Sequence, residues 1–422
     1  MRKLRLNTKK LLSLSLLTWL VASLVTPAHA AGFDQTDIFN PKKILSYDLT
    51  IPDASVTALN NPATARTYTA ASLAVSTGGF TLPAEVGIKL KGTTSFELLN
   101  QSPSFKVQFN WGPSKGQRFL GLKDLTLNAM TQDNSHLHEF ASYKLFNSMN
   151  VPAPKTGWAR LRVNGMDRGL YVVIEAYDDI MMATHFKDQT QHLYEGVALQ
   201  DFKPGNNDGG KKTGHFLEKM GWKATPNKND LGQFIDVAND PSLKNWWKRL
   251  ATVTDRSEMV RFFAVENFTG QWDGYSGPII NNYFLRSNVN GKFAFMPWGT
   301  DQTFGENRQT AQYGDSYFFP LDTPQAGFPW VQQAFHTDLL DRGMLFRKCL
   351  AFSICKHEYL INLKATAAKA KSIKLGAAMI AAAKVQAAYN TADVQTEQAR
   401  TASWLDTQYS RVSALLKANN IK

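Results

Sequence analysis

The sequence predicts an α+β protein whose N-terminal part is mainly an antiparallel sheet and whose C-terminal part is mainly helical. Before residue 175, short segments that alternate apolar and polar residues are separated by Gly, Pro and Asn clusters, as is typical of strands. After residue 257, apolar residues recur at the spacing of a helix. The 422 residues are 43% hydrophobic, which is enough for a large core and excludes a mostly disordered chain. A single long apolar segment excludes a multi-pass membrane protein.

That apolar segment lies at the N-terminus. Residues 1–10 carry five basic side chains, residues 11–25 are apolar, and an Ala-His-Ala sequence ends at Ala30. This arrangement is typical of a secretory signal peptide, here cleaved after Ala30, and the alternative is an uncleaved membrane anchor. We therefore expect a secreted or periplasmic protein with no stable membrane span after cleavage. The net charge of +12 would fall to +7 in the mature chain.

The strands predicted in the first half are bounded by turn residues. They cover residues 44–51, 85–90, 104–109, 124–127, 159–163 and 169–174. The last two are joined by Asn164-Gly165, a strong signal for a tight hairpin. Before them, apolar residues at helical spacing predict one helix over residues 135–149, with Ser135 as its N-cap.

The second half begins with a polar loop and becomes helical. Residues 201–229 are rich in Gly, Lys and Asn and predict a long loop. The elements predicted after it are a helix from residue 257, a hairpin of residues 282–286 and 292–296, an aromatic loop near residues 313–330, a helical Ala-rich run over 365–388 and a last amphipathic helix over 401–418.

The chain has two cysteines, Cys349 and Cys355, and the sequence leaves their pairing open. An exported protein meets conditions in which disulfides form. In an unbroken helix, however, residues six apart have Cα atoms about 9 Å apart, beyond the roughly 7 Å limit for a bridge. Either the helix breaks near residues 352–353 or the thiols stay free.

Polar side chains that could carry chemistry are concentrated in residues 266–306. Asp273 lies in a turn after a predicted helix, Asn282 begins the hairpin and Asp301 follows its return strand. The hairpin should therefore bring Asn282 and Asp301 together near Asp273. Phosphoryl transfer uses an Asp that orients the nucleophile, with an Asn and a second Asp that hold metal ions. On spacing alone, ordinary turn chemistry of Asn and Asp is the alternative.

Several sequence blocks around these residues recur in the same order in one known family. They are GTTS at 92–95, SFK at 104–106, NGMDRGLYVVIE at 164–175, WDGY at 272–275, NYFL at 282–285, PWGTDQTFG at 297–305, and Trp404-Leu405 with Arg411. Together they resemble the CotH family of secreted atypical kinases, first named for spore coat proteins. The resemblance spans about residues 44–415.

This resemblance implies a divergent two-lobed protein-kinase-like fold with a sheet-rich N-terminal lobe. It implies ATP and Mg²⁺ or Mn²⁺ as cofactors and transfer of the γ-phosphate to Ser or Thr of a protein. Asp273 matches the catalytic-loop Asp, and Asn282 and Asp301 match the metal ligands. Oxygen donors of these types suit a hard cation.

The resemblance also indicates the cationic residues of the site and shows departures from the family's pattern, among them the loss of adjacent lysines near Ser104, where only Lys106 remains. Lys106 is the candidate to contact the phosphates, Lys91 is the reserve, and Glu175 is the candidate to orient that lysine. Gly299 stands where the family has the first carboxylate of an Asp-x-Asp loop, and His138 stands where it commonly has Arg. These departures leave two alternatives, an active kinase with a partly degenerate metal site and a catalytically inactive cell-envelope or surface-binding protein.

The resemblance also suggests domain boundaries and partners. We expect a signal peptide at 1–30, a short segment at 31–43, a kinase-like domain at 44–415 (sheet-rich lobe about 44–195, catalytic-site lobe 196–345, C-terminal helices 346–415) and a tail at 416–422. A protein substrate or a cell-envelope component is the expected partner. Nucleic acid is not expected because the sequence has no basic block outside its N-terminus. No carboxylate pair can be assigned at a glycosidase separation, and the sequence indicates no oligomeric state.

A metal site formed jointly by His136 and His138 is not expected. The two histidines stand two positions apart in a stretch predicted to be helical. At that spacing their rings point in different directions, because neighbours on a helix face are three or four residues apart.

Overall fold

The described part of the chain begins after the predicted signal peptide. The computed structural model describes residues 33–77, 80–196, 200–205, 216–221, 229–277, 279–306, 321–322 and 342–422. The signal peptide, most of the polar loop predicted at 201–229 and nearly all of the aromatic loop predicted at 313–330 lie outside the described residues.

Seven strands in the first half close into a barrel with the order β1-β2-β3-β4-β5-β7-β6. They are β1 (Ile44–Thr50), β2 (Thr69–Thr77), β3 (Phe80–Lys91), β4 (Ser104–Gln108), β5 (Asp124–Asn128), β6 (Thr156–Val163) and β7 (Met166–Glu175). Alternate residues of β1, Leu45, Tyr47 and Leu49, are buried, as expected of side chains that face a barrel interior.

The strands pair antiparallel except at the point where the barrel closes. β6 and β7 form the hairpin predicted at Asn164-Gly165, where both residues have positive φ, 49° and 80°, as a tight two-residue turn requires. β1 then pairs parallel with β6, from Ile44 opposite Trp158 to Leu49 opposite Val163. The antiparallel sheet was predicted from the sequence, whereas its closure through this parallel pair was not.

A second sheet carries the hairpin predicted near residue 282. Its order is β11-β10-β8-β9, and the strands are β8 (Thr190–Gly196), β9 (Leu217–Gly221), β10 (Tyr283–Asn288) and β11 (Phe293–Pro297). β10 and β11 pair antiparallel across the predicted Asn290-Gly291 turn, so that Tyr283 lies opposite Pro297. This register fixes the position of the residues that follow β11.

Helices contact strands of both sheets, which confirms the mixed α and β content. The described helices are α1 (Gln35–Ile38), α2 (Asp53–Leu59), α3 (His138–Ser148), α4 (Asp179–His185), α5 (Asp230–Ala238), α6 (Leu243–Val253), α7 (Arg256–Thr269), α8 (Met344–Ala351), α9 (Ser353–Ser372), α10 (Leu375–Gln386) and α11 (Ala392–Ala418). One hydrophobic cluster joins α3, α7 and the C-terminal helices to Val172 and Ile174 of β7. No described helix combines the length and the hydropathy that crossing a bilayer requires.

The helix predicted over 135–149 begins three residues later than expected. His136 has a positive φ of 59°, which a right-handed helix cannot include. Asp133 Oδ2 accepts the main-chain N–H of His138 at 2.8 Å, while the Ser135 hydroxyl donates to Asp133 Oδ1 at 2.8 Å. The N-cap prediction for Ser135 is therefore wrong, because the helix starts beyond its reach.

The Ala-rich run and the last helix also have different bounds from those predicted. The run is divided between α9 and α10, because Lys374 has a φ of 52° between them. α11 begins at Ala392 instead of residue 401, and its cap is Thr391, whose hydroxyl accepts the N–H of Val394 at 3.3 Å. Alanine spacing alone could not reveal either boundary.

Cys349 and Cys355 form a disulfide. Helix α8 ends at Ala351 and α9 begins at Ser353, with Phe352 in extended conformation between them. This break brings the two Cα atoms to 4.9 Å, well inside the range that a bridge requires. The structure therefore resolves the alternatives in favour of a helix break.

Candidate functional site

The site begins where α7 ends. Asp255 caps the helix by accepting the N–H groups of Ser257 and Glu258, and Gly270 ends it with a left-handed φ of 70°. The chain then turns sharply, and the turn is held by Glu266, which lies in the last part of α7. Asp273 lies in this turn.

Glu266 fixes the turn through its carboxylate. Oε1 accepts the N–H of Tyr275 at 3.0 Å, and Oε2 accepts the N–H and the hydroxyl of Ser276 at 2.8 and 2.6 Å. A Cβ at Gly274 would lie 2.3 Å from Glu266 Oε1, so that position has no room for a side chain. The glycine of the Trp-Asp-Gly-Tyr sequence is thus a local requirement of this turn.

Asp273 is hydrogen-bonded to two amides. Asn281 Nδ2 donates to its Oδ1 at 3.0 Å, and Asn282 Nδ2 donates to its Oδ2 at 2.8 Å. Burial raises the pKa of Asp273 to about 7, and the negative charge of Asp301 adds to the rise while the two amides oppose it. The pKa of this carboxyl therefore lies near neutrality, where a general base is effective.

The β10–β11 hairpin positions Asp301 near Asp273 and Asn282. The Trp298 N–H donates to the Asn282 carbonyl at 3.0 Å, and Gln271 Nε2 donates to the carbonyls of Trp298 and Gly299 at 3.2 and 3.0 Å. Asp301 follows in a short 3₁₀ turn. Burial raises its pKa, and the nearby positive charge of Lys91 opposes that rise. The structure thus brings Asp273, Asn282 and Asp301 together.

Gly299 adopts a left-handed conformation with a φ of 51°. A Cβ added there would lie 2.9 Å from Cγ and 3.0 Å from both terminal atoms of the Asn282 side chain. The Asn282 amide therefore occupies the space that a side chain at position 299 would need. It is this same amide that donates to Asp273.

Two lysines from the barrel extend toward the site. Lys106 on β4 lies with Nζ 4.8 Å from the centre of the Trp298 ring, and Lys91 at the end of β3 lies 5.6 Å from it. Among the described residues, neither forms an ion pair within 4.0 Å. Burial, with a smaller contribution from repulsion by Lys91, lowers the pKa of Lys106 to about 7. Two poorly compensated cations are typical of an anion site.

Glu175 is not brought to these lysines. Lys106 lies opposite Thr126, which lies opposite Ile174, so Ile174 shares a face with Lys106 and Glu175 lies on the other face. There, Glu175 binds the side chain and the main-chain N–H of Lys155, at 2.9 and 3.0 Å. Strand alternation is the physical reason why it is not a partner of Lys106.

A carboxylate of the site that was not predicted from the sequence is Glu139 on α3. It is buried, and it accepts hydrogen bonds from Asn128 Nδ2 at 2.7 Å and from the Tyr143 hydroxyl at 3.2 Å. Burial and the negative charge of Asp301 raise its pKa to about 8, against the opposing positive charge of Lys91. Helical spacing gave no signal for it, because Glu139 lies on the side of the predicted helix opposite Leu137 and Ala141.

These residues form a site with three chemical capacities. Asp273 can accept a proton near neutral pH, because its pKa is close to 7. The carboxylates of Asp273 and Asp301 and the amide oxygen of Asn282 are the donor types that a hard divalent cation takes. Lys91 and Lys106 supply positive charge beside them.

Comparisons with known proteins find a spore coat protein and an invasin among the relatives of this chain. The chain is 26% identical over 208 residues to inner spore coat protein H of Bacillus subtilis (strain 168), covering 46% of this chain and 55% of that protein. It is 25% identical over 229 residues to invasin CotH2 of Rhizopus delemar, covering 50% of this chain and 37% of the invasin. The matches thus span about half or less of the relatives' own lengths.

One solved structure shows a weaker likeness. The crystal structure of the Helicobacter pylori proinflammatory kinase CtkA aligns over 74% of this chain and 94% of its own, with 10% identity. The TM-score is 0.32, which is too low to establish a common fold.

The family match covers the candidate site almost completely. A family model described as CotH kinase protein matches residues 88–372, well over half of the chain. Its range includes Lys91, Lys106, Asp273, Asn282 and Asp301. With the spore coat and invasin relatives, this match shows that the chain belongs to the CotH kinase protein family.

Proposed function

We propose that this protein transfers the γ-phosphoryl group of ATP to a serine or threonine hydroxyl of a protein substrate. One observation carries the proposal: Asp273, with a pKa near 7, is hydrogen-bonded at 2.8 Å to Asn282 and lies in the field of Asp301. Phosphoryl transfer uses such a set: a base, an amide that contacts it here, and a second carboxylate whose charge reaches it.

Asp273 acts as the base or orienter of the substrate hydroxyl. The hydroxyl oxygen forms a bond to the γ-phosphorus, and the bond from that phosphorus to the β,γ-bridging oxygen breaks. ADP leaves with the bonding electron pair, and the hydroxyl proton passes to the Asp273 carboxylate. Asn281 and Asn282 hold that carboxylate in a fixed orientation.

The residues present fit a hard divalent cation. Asp273 and Asp301 repel each other in a poorly solvated place, so a cation between oxygen donors would relieve the repulsion. Asn282 and Asp301 are the residues that would hold Mg²⁺ or Mn²⁺. Bound with ATP, the ion would neutralise charge on the phosphate oxygens. Gly299 supplies no ligand, so this chain offers fewer carboxylates than the family's Asp-x-Asp loop.

Lys91 and Lys106 bind the phosphates of ATP in this proposal. Both ammonium groups lie over Trp298, and Lys106 is partly desolvated, which strengthens its attraction to an anion. Glu139 takes the positioning role first assigned to Glu175, because its charge interacts with Lys91.

The same proposal extends to fold and location. The barrel and the segment that follows it, about residues 44–195, correspond to the sheet-rich lobe of a kinase-like fold. Residues 196–345 correspond to the catalytic-site lobe and residues 346–415 to its C-terminal helices. Export by the N-terminal signal is supported by the Cys349–Cys355 disulfide, since such bonds persist mainly in oxidising compartments.

Phosphate transfer by the Asp273→Asn variant tests the assignment. We expect transfer from labelled ATP, with Mg²⁺ or Mn²⁺, to fall by about 10²- to 10⁴-fold, the range lost with a general base. The matched control is Asp406→Asn, a change at an exposed carboxylate on α11. A rate in Asp273→Asn equal to that of the control would rule the assignment out.

A second candidate function is a catalytically inactive surface-binding protein, and Gly299 is the observation that favours it. The position offers no carboxylate, and the Asn282 amide occupies the space beside it. Titration calorimetry separates the two candidates. Absence of binding of ATP with Mg²⁺ or Mn²⁺ to the wild-type chain would favour the inactive binding protein.

A further inference from the structure

A second group of potential ligands lies behind the candidate catalytic site. Asp133, His138 and Glu306 each offer one ligand atom, and these atoms all lie within 4.8 Å of one another. The three residues are 2%, 0% and 7% exposed. They come from the segment before α3, the first turn of α3 and the loop after Asp301.

The imidazole of His138 is oriented as a metal ligand would be. Nδ1 lies 3.3 Å from Asp133 Oδ1 and 3.6 Å from Glu306 Oε2. Nε2 lies 3.1 Å from the Thr401 hydroxyl, which can accept its proton. A histidine that ligates a metal through one nitrogen usually donates its other N–H to such an acceptor.

Glu306 Oε2 points into the group and is unsatisfied. It is buried and has no hydrogen-bond partner among the described residues. Arg400 Nη2 lies 3.8 Å from it, but the Nε of Arg400 is bonded at 2.6 Å to Glu397. A buried carboxylate oxygen without a hydrogen bond is costly, and a bound cation would remove that cost.

The other atoms around the group also suit a cation. The main-chain carbonyl oxygen of Asp301 lies 2.7 Å from His138 Nδ1. Asp133 Oδ1 already accepts from Ser135, which fixes its direction toward the group. Two carboxylates, an imidazole and a carbonyl make a mixed nitrogen and oxygen set. The imidazole favours Zn²⁺ over Mg²⁺, which prefers oxygen ligands alone.

We propose that Asp133, His138 and Glu306 bind a divalent transition metal of the Zn²⁺ type, with the Asp301 carbonyl as a fourth donor. Binding requires the neutral imidazole to carry its proton on Nε2, where it donates to the Thr401 hydroxyl, and no longer on Nδ1, where it donates to the Asp301 carbonyl. The ion ties the loop that carries Asp301 and Glu306 to α3. The site is distinct from the one proposed for Mg²⁺ and does not depend on phosphate transfer.

Metal titration of the purified, chelator-treated chain tests this site. Co²⁺ is the probe, read by its visible absorption in millimolar Mg²⁺ so that oxygen-only sites are filled, and Zn²⁺ is then added as a competitor. We expect one equivalent of Co²⁺ to develop absorption that Zn²⁺ abolishes. At a hundredfold excess over Kd, Zn²⁺ should raise Tm by roughly 3 °C.

Two ligand variants locate the signal. His138→Gln and Glu306→Gln should each weaken Co²⁺ binding at least about a hundredfold, since losing a mere supporting contact costs 10- to 100-fold. His136→Asn is the matched control, because Asn tolerates the positive φ at that position and His136 lies outside the group. Circular dichroism checks that each variant is folded.

One more variant separates this site from the catalytic one. Asp273→Asn should keep the Co²⁺ absorption, whether or not it has lost phosphate transfer. Loss of the absorption in Asp273→Asn, or its retention in Glu306→Gln and His138→Gln, would overturn the proposal. So would a wild-type chain that shows no Co²⁺ absorption and no Zn²⁺-dependent rise in Tm.

Discussion

At the scale of single residues, positions 299 and 282 act as one unit. The Asn282 amide lies within 3.0 Å of the place where a side chain at position 299 would begin, and it donates to Asp273. Any side chain at position 299 must therefore displace the amide that orients the candidate base. The absence of a carboxylate at position 299 is therefore linked to the orientation of the Asp273 side chain.

Replacing Gly299 with Ala should destabilise the protein by roughly 2–5 kcal/mol. A left-handed conformation costs a residue with a Cβ about 1–2 kcal/mol, and crowding of Asn282 adds roughly another 1–3 kcal/mol. Gly112→Ala is the matched control, because Gly112 has a φ of 54° and no atom within 4 Å of an added Cβ. Urea unfolding measures both, and equal losses in the two variants would contradict the crowding.

Asp273 should also make the stability of the protein depend on pH. The folded carboxyl keeps its proton up to a pKa of about 7, whereas an unfolded Asp titrates near about 3.9. The folded chain therefore binds more protons between these values, and its stability falls as pH rises through them. Asp273→Asn removes this effect. Its free energy of unfolding relative to wild type should rise by roughly 2–3 kcal/mol from about pH 5 to about pH 8.

Chemical denaturation at the two pH values measures this difference. Any hydrogen bond lost in Asp273→Asn affects both measurements equally, so the change with pH isolates the carboxyl. Asp406→Asn, at an exposed position, should follow the wild-type profile. A stability difference between Asp273→Asn and wild type that stays constant with pH would show that the carboxyl is not buried as described.

At the scale of elements, the junction of α8 and α9 combines a helix break with a covalent link. Phe352 interrupts the helix, and the Cys349–Cys355 bond joins the two sides. Both cysteines are fully buried. Because the closed loop is short, the bond restricts the unfolded chain only modestly.

Cys349→Ala with Cys355→Ala should lower the free energy of unfolding by roughly 2 kcal/mol, the entropic effect of so short a loop. Unfolding in the presence and absence of reductant measures it. The wild-type chain should lose stability on reduction, and the double variant should not respond. Two free thiols in the unreduced, unfolded wild-type chain would contradict the bond.

Elements with a strong local signal were predictable from the sequence, and those set by distant contacts were not. The Asn164-Gly165 and Asn290-Gly291 hairpins follow from turn chemistry. The division of the Ala-rich run at Lys374 has no counterpart in local propensity, because lysine rarely adopts a positive φ. Tertiary packing decides such a boundary.

The same distinction applies to the candidate site. Asp273, Asn282 and Asp301 could be grouped from the sequence because Asn282 and Asp301 flank one hairpin and a short connection joins Asp273 to Asn282. The sequence could not decide whether Glu175 or Glu139 lies near the lysines, because the face that Glu175 occupies depends on the register of three strands. Register between strands distant in sequence is not encoded in any one segment.

At the scale of the whole molecule, the hairpin of the second sheet and the face of the barrel meet at the site. Trp298, which follows β11, lies beneath the lysines of β3 and β4. The barrel therefore supplies positive charge, and the hairpin and α7 supply the carboxylates. Neither half contains all the parts of the site by itself.

The parallel pairing of β1 with β6 has a kinetic consequence. β1 can form its antiparallel ladder with β2 early, but its other edge must wait for residues 158–163, more than about 110 positions later in the chain. Closing so long a loop lowers the chain entropy before any stabilising contact between the two strands has formed. Until then the first strand keeps an unpaired edge to which other chains can add. Barrel closure should therefore be a late event in folding, and the stage most exposed to aggregation precedes it.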